Sequence, residues 1–229
     1  MQQICKYFIS IFLWFSIYTL NAQNQDNKDS VNIDKINLIN GLRIDLDISP
    51  VITSLLSKSD SYSFEGAVQT TLFQKYFPVI EFGFAGADKT STENVNFSTN
   101  GGFLRIGNDF SAMKQKAGAD KQNNFFLIGA RLGFSHFNYK INNIEIQDEY
   151  WEESKTYNFT KLKSTKLWFE IAAGIRVEII KNIYMGWTIR NKRMLINDSE
   201  GKISPWYVPG FGVNSTSSWG FNYAIGYKF

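Results

Sequence analysis

Cysteine and histidine each occur only once in this 229-residue sequence, as Cys5 and His136. A single cysteine excludes a disulfide framework, a cysteine-rich zinc site and an iron–sulfur cluster. A single histidine makes the common metal sites and catalytic triads hard to assemble. We therefore expect no metal, no cofactor and no enzymatic activity.

An excess of charge of one sign is also lacking, since 24 Lys and Arg stand against 21 Asp and Glu, a net charge of +3. The basic residues are scattered along the chain, so nucleic acid is not an expected partner. Hydrophobic residues make up 44% of the chain, which excludes a disordered protein. The mean hydropathy of −0.22 excludes a helical membrane bundle.

Long apolar runs are missing except for one at the N-terminus, residues 7–20. This run follows Lys6 and precedes Ala22, the pattern of a secretory signal peptide cleaved after Ala22. It is shorter than the roughly 20 apolar residues of a spanning helix, so a retained anchor is the weaker alternative. We expect a signal peptide over residues 1–22, a polar periplasmic segment over 23–37, and a single barrel domain over 38–229.

The rest of the sequence is dominated by alternation of apolar and polar residues, which is typical of strands. The predicted strands are 42–48, 64–72, 79–85, 102–110, 125–139, 167–179, 183–193 and 219–229. One face of each strand is apolar and aromatic. The other face mixes charged residues with glycine and alanine.

Eight such strands fit either a soluble barrel with an apolar interior or a membrane barrel with an apolar exterior. The polar face contains many glycines, namely Gly83, Gly107, Gly129, Gly133, Gly174, Gly186 and Gly226. Small residues suit the inside of an eight-stranded barrel, which is just wide enough for its own side chains. The sequence therefore predicts an all-β, eight-stranded antiparallel up-and-down transmembrane β-barrel with a polar, side-chain-filled interior.

The charges on the polar face balance, as an internal lattice of ion pairs requires, because buried charges persist only when they are paired. The predicted interior charges are Arg43, Arg105, Arg131, Arg176, Arg190, Lys192 and Lys228 against Asp45, Asp47, Glu65, Glu81, Asp109, Glu170 and Glu178. Their predicted role is structural.

The connections alternate in length, as in bacterial membrane barrels with short periplasmic turns and long external loops. The expected long loops are 49–63, 86–101, 140–166 and 194–218, and the expected turns are 73–78 and 180–182. Segment 111–124 is long for a turn and is an exception.

The last predicted strand is aromatic and ends in Phe229. It resembles the C-terminal strand of bacterial outer-membrane proteins, whose final Phe is associated with recognition by the barrel-assembly machinery. That resemblance implies two partners, the lipid of the outer membrane and the assembly machinery. The sequence identifies no extracellular or periplasmic protein partner.

Three further features carry candidate chemistry. The segment PWYVPGFG contains Trp206, Tyr207 and Phe211, which recognise a surface partner, fold over the barrel mouth or lie at the level of the lipid headgroups. Ser135 and His136 are neighbours on a strand and therefore point to opposite faces, so they cannot form a catalytic dyad. The acidic segment 145–153 lacks the Gly-centred turn of a calcium loop, so we expect a solvated loop.

Three stretches, KYFPVIEFGFA (75–85), NIYMGWTIRNKR (182–193) and SPWYVPGFGVN (204–214), resemble an uncharacterised, domain-of-unknown-function family of small exported barrels from Gram-negative bacteria. In general architecture the chain is also similar to the small OmpA- and OmpX-type barrels. The resemblance implies an outer-membrane location and no established activity.

We expect a structural or surface-interaction role in the outer membrane of a Gram-negative bacterium, without a large pore. Two alternatives stay open at this point. One is a soluble periplasmic barrel that binds a small apolar ligand, and the other is an envelope-lipid-modifying enzyme that uses His136.

Overall fold

The computed structural model describes residues 39–56, 60–72, 75–113, 124–147, 154–199 and 203–229. All of these residues belong to one compact unit, Asn37–Phe229. The predicted signal peptide and the polar segment 23–37 lie outside the described residues.

The described residues form ten strands and one short helix. The strands are β1 (Ile39–Asp47), β2 (Ser61–Leu72), β3 (Tyr76–Thr90), β4 (Asn96–Ser111), β5 (Phe125–Gln147), β6 (Ser154–Ile180), β7 (Ile183–Ser199), β8 (Tyr207–Val208), β9 (Gly212–Val213) and β10 (Ser217–Lys228), and the helix is α1 (Ser49–Leu56). In the described part of the chain, no helix is long and apolar enough to cross a membrane.

Eight strands form one antiparallel sheet that closes on itself into a ring in the order β1-β10-β7-β6-β5-β4-β3-β2. The ring closes where β1 pairs with β10, from Arg43 opposite Lys228 to Asp47 opposite Ala224. Strands β8 and β9 form a separate small hairpin. The expectation of eight antiparallel strands in a closed sheet is confirmed, and the ring strands correspond to the eight predicted segments.

Alternation along each strand sets the inside and the outside of the ring, because successive side chains point to opposite faces. On β3, Glu81 is 2% exposed while its neighbour Phe82 is 49% exposed. On β6, Glu170 is 0% exposed and Ile171 is 56% exposed. Over this part of the ring the apolar residues therefore face outward and the charged residues face inward.

The ring has two ends with different connections. At the terminal end, β1 begins, β10 ends, and the connections between strands are 73–75, 112–124 and 181–182. At the loop end, the connections are 48–60, 91–95, 148–153 and 200–216. The names terminal end and loop end are used in this sense below.

The strands rise further at the loop end than the sequence predicted. Segments 86–101 and 140–166 were expected to be loops, but most of both segments is strand. The reason is a reversal of polarity along β5, where Phe137 and Tyr139 are buried and His136, Asn138 and Lys140 are exposed. Alternation continues there with apolar residues inside, so the backbone stays paired beyond the outward apolar surface.

An apolar cluster fills the ring at the loop end. It consists of Ala85, Phe97, Phe103, Phe137, Tyr139, Ile141, Trp168, Val208 and Phe211. Its members come from β3 to β6 and from segment 203–216, so residues far apart in the chain meet there.

Strand β1 is shorter than the strands on either side of it. It pairs with β10 only as far as Asp47 and with β2 only as far as Leu46. Helix α1 follows at once and lies against β2 and β10. Asp47 fixes this junction, since its carboxylate accepts hydrogen bonds from the Ser49 amide at 2.9 Å and from Asn222.

Candidate functional site

Glu81 is the centre of the charged interior. One carboxylate oxygen lies 2.6 Å from Nε of Arg131, and the other lies 2.9 Å from Nη1 of Arg105 and also binds Arg190. The Glu81 side chain is 2% exposed. Three guanidinium groups therefore neutralise and hydrogen-bond one buried carboxylate.

Further carboxylates extend this arrangement around the ring. Arg105 also contacts Glu65 at 2.6 Å and Glu170 at 3.0 Å. Arg131 contacts Asp109 at 3.0 Å. The resulting central network consists of Glu65, Glu81, Arg105, Asp109, Arg131, Glu170 and Arg190, which come from six of the eight ring strands. It ties these strands together across the interior.

Neutral side chains complete the hydrogen bonding of the central network. Gln69 donates to Asp109 at 3.0 Å, and the indole nitrogen of Trp168 donates to Glu170 at 2.6 Å. Burial of an ionised group is tolerated only when such partners satisfy it.

The other predicted interior charges lie outside the central network. Arg43 pairs with Asp45 at 2.6 Å on β1, and Glu178 accepts a hydrogen bond from the Asn182 amide at 2.8 Å. Arg176 has its guanidinium carbon 6.0 Å from the centroid of the Phe77 ring. Asp47 lies at the start of α1, Lys228 is paired in register with Arg43, and Lys192 contacts segment 203–216. The structure thus brings seven of the fourteen charges into one cluster.

A small polar cavity lies beside the central network toward the terminal end. Its volume is about 70 Å³, and its lining includes Arg43, Asp45, Arg131, Arg176 and Tyr184. A cavity of this size holds a few water molecules. It is far smaller than the lumen of a porin.

Segment 203–216, which includes the β8–β9 hairpin, enters the ring at the loop end and is called the plug here. Pro205, Val208, Pro209 and Phe211 are buried. The rings of Phe211 and Trp168 meet edge to face, with centroids 5.9 Å apart. The plug therefore supplies Val208 and Phe211, two of the nine residues of the apolar cluster.

The plug is also bonded directly to the charged interior. Arg105 donates to the Gly210 carbonyl oxygen at 2.9 Å, and Lys192 donates to the carbonyl oxygens of Gly210 at 2.8 Å and Phe211 at 3.2 Å. Gly210 has a φ of +80° and packs against Phe103, so a side chain at this position would be strained and would clash.

The three aromatic candidates for surface recognition all belong to the plug. Phe211 is 1% exposed and is not available to a surface partner in this arrangement. The rings of Trp206 and Phe97 pack together with their centroids 6.0 Å apart. The centroid of the Trp206 ring lies 4.4 Å from Nζ of Lys89. Trp206 and Tyr207 remain partly exposed, and burial raises the pKa of the Tyr207 hydroxyl, an effect that the charge on Arg105 opposes.

Ser135 and His136 face opposite sides of β5. Ser135 Oγ donates to the Gly102 carbonyl at 2.9 Å, while His136 is exposed and has Nδ1 2.9 Å from Thr165 Oγ1. In the acidic segment, Glu145 is exposed and residues 148–153 lie outside the described residues. Within the described ranges, no group of three or more His, Cys, Asp or Glu residues is arranged to hold a metal ion.

Phe229 lies at the terminal end beside the ring closure. It is 67% exposed, its ring meets that of Tyr227 edge to face at 4.9 Å, and its amide donates to the Leu42 carbonyl at 2.8 Å. The last residue therefore continues the pairing of β10 with β1.

Sequence reasoning missed the apolar cluster and the depth to which the plug enters the ring, although folding of Trp206, Tyr207 and Phe211 over the barrel mouth was one of its alternatives. The signal for the cluster was present, since Phe137, Tyr139 and Ile141 continue the alternation of β5 with the apolar residues on the other face. Nothing in the local pattern of 203–216 indicates how far this loop enters the ring, because its partners lie on distant strands.

These features define an all-β protein whose closed eight-stranded sheet is filled by ion pairs at mid-height and by an apolar plug at one end. The chain belongs to a family described as a domain of unknown function, DUF6048, which it matches over residues 4–229. No curated protein and no solved structure matches the chain.

Proposed function

We propose that this protein is a small β-barrel of the outer membrane of a Gram-negative bacterium, exported by its N-terminal signal peptide. Its role is structural or one of surface interaction, and it is neither an enzyme nor a large-pore channel. The observation that carries the proposal is an apolar belt of outward-facing side chains around a charged, ion-paired interior.

The height of the belt suits a bilayer. On β6 the outward apolar residues run from Phe169 to Ile179, and on β5 they run from Phe126 to Phe134. These stretches span about 9 to 11 residues, which is the length a tilted strand needs to cross the hydrocarbon core. In water, an apolar surface of this extent would be a liability for aggregation.

Aromatic side chains lie at both edges of the belt. Tyr76, Tyr227 and Phe229 are exposed near the terminal end, and Phe64 and Trp219 are exposed toward the loop end. Membrane barrels carry such aromatic girdles at the two lipid–water interfaces. We place the terminal end in the periplasm and the loop end outside the cell.

The belt also supports the two expected partners. Outer-membrane lipid would cover the outward apolar side chains, and the barrel-assembly machinery would act during insertion on the strand that ends in Phe229. A soluble barrel that stores an apolar ligand needs its apolar face inside, whereas here the inner face is charged at mid-height and filled by the plug at the loop end.

The decisive experiment is heat modifiability. The full chain is expressed in a Gram-negative host, the envelope is fractionated, and the detergent-extracted protein is run on a denaturing gel with and without boiling. We expect the protein in the outer-membrane fraction, with an unboiled band that migrates faster than the boiled band, because a closed, hydrogen-bonded barrel resists the detergent.

The matched control is a chain that lacks residues 217–229, which removes β10 and therefore the ring closure. We expect this chain to show no shift on boiling. Recovery of the intact protein in the soluble periplasmic fraction, with no difference between boiled and unboiled samples, would overturn the proposal.

A further inference from the structure

Above the belt, at the loop end, the outward face of three neighbouring strands forms a patch of polar and basic side chains. It is called the basic face here. Its members are Ser98 and Asn100 on β4, His136, Asn138 and Lys140 on β5, and Lys161, Lys163 and Thr165 on β6.

The orientation of the basic face follows from the buried residues between its members. Phe137 and Tyr139 point into the apolar cluster, so Lys140 points outward. Tyr139 pairs with Leu162 and Ile141 pairs with Phe159, so Lys140 lies opposite a bulge formed by Thr160 and Lys161. Lys140 and Lys161 therefore lie next to each other across the β5–β6 pair, and both side chains are exposed.

Among the residues that the structure describes, carboxylates flank the basic face and none is a member of it. Asp88 on β3 is in the same row as Lys140 with Ser98 between them, and Asp198 on β7 lies opposite Thr165. Glu145 lies nearer the tip of β5. Like charges on adjacent strands repel one another, so an external anion would stabilise this surface.

We infer that the basic face binds the headgroup of a phosphorylated glycolipid in the outer leaflet of the membrane. This inference rests on the proposed function, because it needs the belt to lie in a bilayer. Lysine is a suitable partner for phosphate as a compact point charge, and basic residues just beyond a membrane surface bind anionic headgroups.

The neighbouring side chains suit the sugar part of such a headgroup. Ser98, Asn100 and Asn138 offer hydroxyl and amide groups that both donate and accept hydrogen bonds, as sugar hydroxyls do. Further down the same two strands, beyond Gly102 and His136, Leu104 and Phe134 are paired in register and face outward in the belt. One surface thus presents cations and neutral hydrogen-bonding groups side by side, with apolar contacts further down, as a phosphorylated sugar that carries acyl chains requires.

The test measures binding of lipid A, a diphosphorylated and acylated disaccharide, to the purified full chain in mixed detergent micelles by native mass spectrometry. K140A/K161A removes two charges from the basic face. K75A/K181A removes two exposed charges at the opposite end of the ring and serves as the matched control. We expect at least tenfold weaker binding in the first variant, unchanged binding in the control, and restored binding in K140R/K161R.

Two further ligands distinguish the source of the interaction. Dephosphorylated lipid A should bind the wild type at least tenfold more weakly, and so should the deacylated phosphosaccharide. Equal binding by K140A/K161A and the wild type, or equal binding of the phosphorylated and dephosphorylated lipids, would overturn the inference. If the deacylated phosphosaccharide bound as tightly as lipid A, the ligand would be a soluble anion and not a lipid. That result would also overturn the inference.

The two proposals fail in different ways. If the protein is heat-modifiable and lies in the outer membrane, but its lipid binding does not depend on the two lysines, only this inference fails. If the protein is soluble and shows no heat modifiability, both proposals fail.

Discussion

At the scale of single residues, Glu81 holds three guanidinium groups that would otherwise repel one another. We expect Glu81→Gln to destabilise the folded protein by roughly 3–5 kcal/mol, because it leaves buried positive charge without its counter-charge. The measurement is the urea concentration at the midpoint of unfolding in detergent, and the heat-modifiable gel shift reports the folded fraction.

The control for this change is Glu93→Gln, since Glu93 is exposed in the connection 91–95. It should leave the urea midpoint unchanged. If Glu81→Gln were as stable as the wild type, Glu81 would not be the anchor of the central network.

Gly133 is a second residue on which the interior depends. A Cβ atom at this position would overlap the indole ring of Trp168, which is fully buried and cannot move aside. We expect Gly133→Ala to cost about 1–3 kcal/mol through overpacking. The urea midpoint in detergent again gives the value.

Gly102 is the matched comparison because it is exposed, and the nearest atom to an added Cβ is the Gly83 carbonyl oxygen at 3.7 Å. Gly102→Ala should change the stability by less than about 0.5 kcal/mol, as surface substitutions usually do. Similar losses in both variants would indicate a general effect of glycine replacement rather than the contact with Trp168.

Alternation in the sequence placed the acidic and basic residues on one face of each strand, but it could not tell which of them meet. Glu81 and Arg190 are 109 positions apart, and their contact depends on the register of every strand between them. Lys192 illustrates the limit: the sequence predicted it among ion pairs, and its ammonium group bonds two plug carbonyls instead.

At the scale of elements, the plug shields the apolar cluster from the solvent at the loop end. Ala85 is 0% exposed within this cluster and offers a test. In a chain whose only cysteine is introduced as Ala85→Cys, we expect no reaction with a membrane-impermeant maleimide while the plug is in place. Replacing residues 205–212 with a short Gly-Ser linker should make the same cysteine reactive.

Asn100→Cys provides the reference, because Asn100 faces outward and is exposed. It should react with the maleimide whether or not the plug is present. A reactive cysteine at position 85 in the chain with an intact plug would mean that segment 203–216 does not occupy the ring.

The eight ring strands could be predicted because each has an uninterrupted alternation of period two. Their full length could not, because the polarity reverses in the upper parts of β3 to β5, where apolar side chains face inward and polar ones outward. A strand prediction that assumes the same face to be apolar throughout therefore stops at the residue where the polarity reverses. Helix α1 and the plug depend on contacts with strands distant in the chain, which local patterns do not report.

At the scale of the whole molecule, the filled interior determines what can pass through it. The central network spans the ring, the plug fills the loop end, and the cavity beside the network measures about 70 Å³. We expect no porin-sized conductance from the purified protein in planar bilayers, because eight-stranded barrels leave room only for side chains. A porin purified in the same detergent is the positive control, and stable currents of comparable size would contradict the filled interior.

The joint between β1 and β10 has a consequence for assembly. Every other pairing in the ring joins consecutive ring strands, with only the β8–β9 hairpin between β7 and β10 in the chain. The β1–β10 joint instead unites the two ends of the sheet through five residue pairs. Hairpins between consecutive strands form quickly because their contacts are local, and a contact between distant segments bears the greatest loop-closure entropy. We therefore expect the pairings between consecutive ring strands to form first and the β1–β10 pairing to form last. Until it forms, β1 and β10 are unpaired edge strands that can pair with another chain.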